Sequence, residues 1–211
     1  MLMIVRRLHG SLNPQFAQLL RIYSEAHPAS ERKSAETLAS VADRPDYLFL
    51  VAIEEGCVLG FSIVVCFTNS NACLLEYMAV AAKLRNRGIG RLLFKKTVER
   101  REVFRRFVLL EVDSDSVPSE DRTERVRRKS FYRTMGCKQI EGLRYRMPEV
   151  SRAGPPAMDL LVYKDELPAL FAREQLRKWL ESCYTQVYER PADDPRIDAM
   201  LKGLPDIVRL I

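Results

Sequence analysis

The sequence predicts a mixed α/β domain, a central mixed sheet flanked by helices, with a helical extension towards the C-terminus. Three observations predict it. Three β-rich runs follow one another between Tyr47 and Val80 with only turn residues between them, the pattern of an antiparallel meander. An amphipathic helical stretch then starts at a glycine-bearing turn and leads to the apolar run Phe107–Val112, so that run should return parallel to the strand before the helix. A further helical pattern, Leu167–Tyr188, comes after the last β-rich run.

Taken in order, Met1–Arg7 alternates loosely and suits a first strand. Asn13–Glu25 places Phe16, Leu19, Leu20 and Tyr23 at helical spacing, with Asn13 as cap and Pro14 in the first turn. Ser30-Glu31-Arg32-Lys33 should open a second short helix that runs to Ala42. Tyr47–Ile53 and Val58–Phe67 form a hairpin around Glu54-Glu55-Gly56-Cys57. Asn69-Ser70-Asn71 then turns the chain into Ala72–Val80. The helix after the glycine turn should extend from Gly88 to about Glu102, with Ile89, Leu92, Leu93 and Val98 towards the sheet. Past the polar loop Asp113–Glu120, a helix runs through Met135 and stops at Gly136. Cys137–Met147 and Ala157–Tyr163 read as a last hairpin. Leu167–Tyr188 reads as one long helix with Leu170, Phe171, Trp179, Leu180, Cys183 and Val187 on one side. The expected division is a domain over residues 1–165 and an extension over 166–211. That extension suits packing on the sheet, covering an acceptor cleft, or exchange with a second protomer in a homodimer.

The most informative stretch is Arg85-Asn86-Arg87-Gly88-Ile89-Gly90-Arg91, a small-residue loop at the start of a helix. A helix N-terminus presents unpaired N–H groups and the positive end of the macrodipole, which together attract phosphate. Gly88 and Gly90 carry no Cβ to hold a pyrophosphate off those amides. A P-loop needs a Lys-Ser or Lys-Thr pair that does not follow Gly90. A dinucleotide fingerprint needs a third glycine that Gly88-Ile89-Gly90-Arg91-Leu92-Leu93 lacks. The pattern [RQ]-x-x-G-x-[GA] after an apolar strand is matched in full by Arg85, Gly88 and Gly90.

That loop, with Leu75-Glu76-Tyr77-Met78-Ala79-Val80 before it, resembles the GNAT superfamily of acyl-CoA-dependent N-acetyltransferases. Ser130-Phe131-Tyr132-Arg133-Thr134-Met135-Gly136-Cys137 is similar to a second segment of that family, [FL]-Y-x-x-x-G-[FC], in the expected order. The resemblance covers roughly residues 2–163. It implies the GNAT fold, in which the strand before the loop and the later parallel strand splay apart to admit a pantetheine arm. It further implies acetyl-CoA as donor, bound by Met78, Ala79, Val80 and the loop from Arg85 to Arg91, with a bulge near Ala79. The N–H of Met78 would polarise the thioester carbonyl. Tyr132 matches the family's general acid, and a tyrosine hydroxyl suits that role because its pKa lies above that of a thiol. The base is open among Glu76, Glu111 and a water chain. A carboxylate inside an apolar strand is costly unless paired, which draws attention to both glutamates. The chain departs from the family at Arg125, where many members carry an asparagine.

The acceptor is left open between a small-molecule amine and a protein amine, and the donor between acetyl-CoA and a longer acyl-CoA. A catalytically idle acyl-CoA-binding module is the alternative to an enzyme. Between Lys83 and Arg133 there are 16 Lys and Arg against 8 Asp and Glu, while the whole chain carries +6. Such a field suits the phosphates of CoA. No nucleic-acid module is recognisable, so no nucleic-acid partner is expected. Five cysteines without C-x-x-C spacing and two isolated histidines predict neither disulfides nor a metal site. The absence of an apolar run long enough to span a bilayer predicts a cytoplasmic protein without membrane contact.

Overall fold

The computed structural model describes residues 3–149 and 157–211. Its main sheet has seven strands: β1 (Ile4–Leu8), β2 (Tyr47–Glu54), β3 (Cys57–Cys66), β4 (Ala72–Val80), β5 (Phe107–Asp113), β6 (Lys138–Gln139) and β7 (Met158–Tyr163). Their order is β1-β2-β3-β4-β5-β7-β6. The β4–β5 pair is parallel, as its helical crossover requires. This is the predicted mixed α/β architecture. The chain divides into two compact units, one of residues 1–66 and 75–104, the other of residues 67–74 and 105–211. Parallel pairing runs over Ala72–Leu74 against Phe107–Leu109, and from Leu75 onward β4 belongs to the first unit.

In the first unit, α1 (Pro14–Ala26) starts as its sequence dictates, the Asn13 side chain accepting from the N–H of Gln15 at 3.0 Å ahead of Pro14. Phe16, Leu19, Ile22 and Tyr23 form its buried stripe. The β2–β3 hairpin closes on Glu55 and Gly56, both at positive φ, the geometry a two-residue turn needs to follow the twist of its strands. The predicted helix from Ser30 is instead a 3-10 turn (Ala29–Glu31) followed by α2 (Ala35–Val41). Ser34 is the residue that caps α2, accepting from the N–H of Thr37 at 3.1 Å. The glycine-turn helix α3 (Ile89–Val98) is shorter than expected, and its buried stripe is Ile89, Leu93, Phe94 and Thr97. Thr97 is accommodated because its hydroxyl donates to the Leu93 carbonyl at 2.7 Å and lies 2.7 Å from the Ser62 hydroxyl.

In the second unit, α4 (Arg122–Thr134) ends before Gly136, which takes φ +92. The expected last hairpin is much reduced. Only Lys138 and Gln139 pair with β7, and residues 143–149 are irregular. Gln139 also exchanges backbone bonds of 2.8 and 2.9 Å with Ile211, and Ile140 bridges to Leu210, so the chain beyond β6 pairs with the C-terminal segment rather than continuing along β7. Part of the predicted connection, residues 150–156, lies outside the described residues. The C-terminal stretch is not one helix but β8 (Leu170–Ala172), α5 (Arg173–Gln186), α6 (Pro195–Leu201) and β9 (Ile207–Arg209), with β8 and β9 paired antiparallel. The alternation of exposed Leu170, buried Phe171 and exposed Ala172 marks a strand, a period the helical reading passed over. Trp179 of α5 is fully buried between Phe107 and Phe171, at ring-centroid distances of 4.6 and 5.0 Å. Its indole N–H donates to Asn71 at 3.2 Å, so burial leaves no polar atom stranded. Among the described residues no helix is long and apolar enough to cross a membrane.

Candidate active site

The end of β4 and the start of α3 are held together by packing. Met78, Val80 and Leu84 pack against a cluster of Ala52, Ile89 and Leu93. Gly60 of β3 lets the chain approach closely, since a Cβ there would stand 2.7 Å from the Ala79 carbonyl oxygen. Beyond a 3-10 turn (Ala82–Leu84), Asn86 takes φ +67 and Gly88 takes φ +79. Gly88 is the N-cap of α3 and no side chain caps this helix, so its first N–H groups have no side-chain acceptor. An L-residue at the Gly88 φ would be strained, by about 1–2 kcal/mol. A Cβ there would meet nothing within 4 Å, which leaves clear space in front of the helix start. Lys83, Arg85, Arg87 and Arg91 are exposed around this loop and form no ion pair with a carboxylate among the described residues.

The basic residues of α4 are differently placed. Arg125 Nε donates to Asp121 at 2.9 Å, Arg128 pairs with Asp113, and the buried Lys129 ammonium is shared by Asp115 and Asp159 at 2.7 Å each. These charges are compensated within the second unit. The loop charges have no carboxylate partner among the described residues, whereas these three charges of α4 are spent on the fold. Arg125, at the departure from the family pattern, is one of the latter.

Glu76 and Glu111 both interrupt apolar strands, and each has a built environment. The Glu76 carboxylate is buried in the first unit, with Oε1 2.7 Å from the Lys33 ammonium and Oε2 without a hydrogen-bond partner among the described residues. Burial pushes the Glu76 pKa above the ordinary carboxylate value, and Lys33 offsets part of that rise. For Lys33, burial opposes the charge, but Glu76 and Tyr47 outweigh it and keep the ammonium protonated beyond the ordinary lysine range. The Tyr23, Tyr47 and Tyr77 hydroxyls all have raised pKa values, first through burial. Glu111 lies in the second unit. Its Oε1 accepts from the Tyr145 hydroxyl and its Oε2 from the Tyr188 hydroxyl at 2.5 Å. The Cys183 thiol is 3.9 Å from Oε1.

Tyr132 lies on the buried face of α4, its ring centroid 5.1 Å from that of Phe131. Burial raises its hydroxyl pKa well above the ordinary tyrosine value, and Arg128 opposes the rise. The predicted donor-binding residues Met78 to Arg91 and Glu76 thus belong to the first unit, and Tyr132 and Glu111 to the second. Lys33, Tyr47, Tyr145 and Tyr188 were not singled out by motif. The available signal was physical: a glutamate in an apolar strand has to find a partner, and polar residues at element ends are where to look.

With this geometry in hand, comparison with known proteins gives a consistent result. The model of a domain family described as acetyltransferase (GNAT) matches residues 45–138. No curated protein matches the sequence. Among solved structures, a Bacteroides thetaiotaomicron protein assigned to the GNAT family of acetyltransferases is similar with TM-score 0.70 and 21% identity, covering 88% of this chain and 98% of its own. A Desulfovibrio desulfuricans protein assigned to the same family has TM-score 0.56 and 19% identity, covering 77% and 97%. The ribosomal-protein-S18-alanine N-acetyltransferase of Escherichia coli has TM-score 0.54 and 16% identity, covering 79% and 99%. At these identities the likeness is one of fold.

Proposed function

We propose, from the match of residues 45–138 to the model of the acetyltransferase (GNAT) domain family, that the protein transfers an acetyl group from acetyl-CoA to a primary amine. The observation that carries this reading is the start of α3: an uncapped helix N-terminus, opened by Gly88 at φ +79 into clear space. Exposed arginines at 85, 87 and 91 surround it. Backbone N–H groups, the helix dipole and guanidinium forks are the features that hold a diphosphate. CoA supplies a pyrophosphate and a 3′-phosphate to them. The backbone of Met78, Ala79 and Val80 is assigned to the pantetheine arm, with the Met78 N–H at the thioester carbonyl.

In the proposed chemistry, the neutral amine attacks the acyl carbon directly in a ternary complex. A C–N bond forms, the C–S bond breaks, the nitrogen loses a proton and the sulfur gains one. Tyr132 is assigned as the donor to sulfur, since burial keeps its phenol protonated at neutral pH and so able to hydrogen-bond and donate to the departing sulfur. Glu76 is favoured as the acceptor of the amine's proton over Glu111, because Glu76 has an uncommitted oxygen and Glu111 has a tyrosine hydroxyl on each oxygen. A thiol-release assay with acetyl-CoA, longer acyl-CoAs and a library of small and peptide amines tests the reading. CoA release that requires an amine is the expected result, strongest with the acetyl donor. Acetyl-CoA binding without amine-dependent release from any acceptor would favour a binding module instead.

A further inference from the structure

We infer that Lys33 is a positioning residue for acyl transfer: it claims one oxygen of Glu76 and leaves the other, buried and without a hydrogen-bond partner among the described residues, to receive the acceptor's proton. The inference rests on the reading of Glu76 as base and deepens it. Lys33 follows the 3-10 turn Ala29–Glu31, and four groups of the first unit hold it. Its backbone N–H points to the Tyr77 hydroxyl oxygen at 3.4 Å, and its carbonyl accepts from the Tyr23 hydroxyl at 3.2 Å. Its ammonium donates to the Tyr47 hydroxyl at 3.2 Å and contacts Glu76 Oε1 at 2.7 Å. Tyr77 also donates to the Glu31 carbonyl at 3.2 Å, so the turn before Lys33 is anchored as well. The lysine is thereby fixed at backbone and side chain, which a long flexible side chain does not achieve through an exposed ion pair.

The arrangement has a clear chemical consequence. A buried carboxylate with no counter-charge takes up a proton and ceases to be a base at neutral pH. The Lys33 ammonium supplies the counter-charge, and because Glu76 and Tyr47 hold its own proton, it acts as a fixed charge rather than as an acceptor amine. The other groups facing Glu76 are Tyr23 from α1, Tyr47 from β2 and the neighbouring Tyr77 of β4, with His27, at the end of α1, packed against the Tyr23 and Tyr77 rings. Lys33 alone among them is a permanent cation. Oε1 is occupied by Lys33, so the proton leaving the attacking nitrogen goes to Oε2, while Lys33 keeps its proton throughout.

The test is a pair of substitutions, Lys33→Met and Lys33→Arg, read by the pH dependence of kcat/KM and by calorimetric acetyl-CoA affinity. In Lys33→Met the acid limb should move to higher pH, lowering kcat/KM on that limb about tenfold for each unit of movement. Acetyl-CoA affinity should stay unchanged, and Lys33→Arg should return the limb towards its original place. Tyr47→Phe, a milder change for use if Lys33→Met does not fold, should move the limb the same way by less. A second readout needs no acceptor: the Glu76 carboxyl, followed by carbon-13 NMR titration, should titrate at higher pH in Lys33→Met. An unmoved limb or an unmoved Glu76 titration in a folded variant would overturn the positioning role. Should Glu76→Gln keep full turnover, the reading of Glu76 as base fails on its own, and the NMR titration still decides whether Lys33 governs its charge.

Discussion

Glu76 and Glu111 interrupt their strands in much the same way, Leu-Leu-Glu-Tyr in one and Leu-Leu-Glu-Val in the other, yet they end in opposite chemical states. Glu76 meets a lysine on one oxygen and keeps the other uncommitted in a buried site. Glu111 meets a tyrosine hydroxyl on each oxygen, one from the irregular stretch after β6 and one from just beyond α5. The first arrangement leaves a carboxylate able to take a proton. The second ties two distant parts of the chain to β5. A glutamate in an apolar strand therefore announces a partner without saying whether it serves chemistry or architecture; the free oxygen makes that distinction.

The strongest way to break this comparison is Glu76→Gln. Turnover should fall by about 10²–10⁴-fold, the usual range for loss of a general base, with acetyl-CoA affinity retained by calorimetry. Because the change also leaves the buried Lys33 ammonium without its counter-charge, the melting temperature should drop too. Tyr132→Phe comes next, near the lower end of that range, since a thiolate is a fair leaving group without protonation; steady-state kinetics with a confirmed acceptor measures it. Glu111→Gln should give the reverse of Glu76→Gln. Each tyrosine bond to the charged carboxylate is worth about 1.5–3 kcal/mol, so denaturant unfolding should show a clear loss while turnover per folded molecule is kept. Collapse of turnover with stability intact would reverse the assignment of the two glutamates. Smallest of all, Arg87→Ala should weaken acetyl-CoA binding several-fold at low salt and less at high salt, as screening of an exposed charge requires. Arg128→Ala, by contrast, should act on stability through Asp113.

The same contrast explains where sequence reasoning reached and where it stopped. The α1 cap at Asn13-Pro14, the Glu55-Gly56 turn and the parallel return of β5 followed from local chemistry and a chirality rule, so they were readable from the chain. The Gly88 turn was equally readable, because its geometry is set by neighbours in sequence. The second helix starts after Lys33 rather than at Ser30: Arg32 and Ser34 are extended, and Lys33 is held by tyrosines from α1, β2 and β4, contacts 10 to 44 positions away in sequence. The C-terminal stretch departs from its helical pattern at Leu170–Ala172, because β8 pairs with β9, more than thirty residues later. Within the basic excess from Lys83 to Arg133, only the fold shows that Asp113, Asp115, Asp121 and Asp159 compensate Arg125, Arg128 and Lys129 of α4. Long-range partners, not local propensity, decided each of these.

The central claim is that the start of α3 holds the diphosphate of acetyl-CoA, and calorimetric titration of acetyl-CoA tests it most directly. Saturable binding to the native chain, abolished in Gly88→Glu and in Gly90→Glu while both variants keep the native circular-dichroism spectrum, is the predicted result. Equal affinity in the native chain and in both folded variants would contradict it.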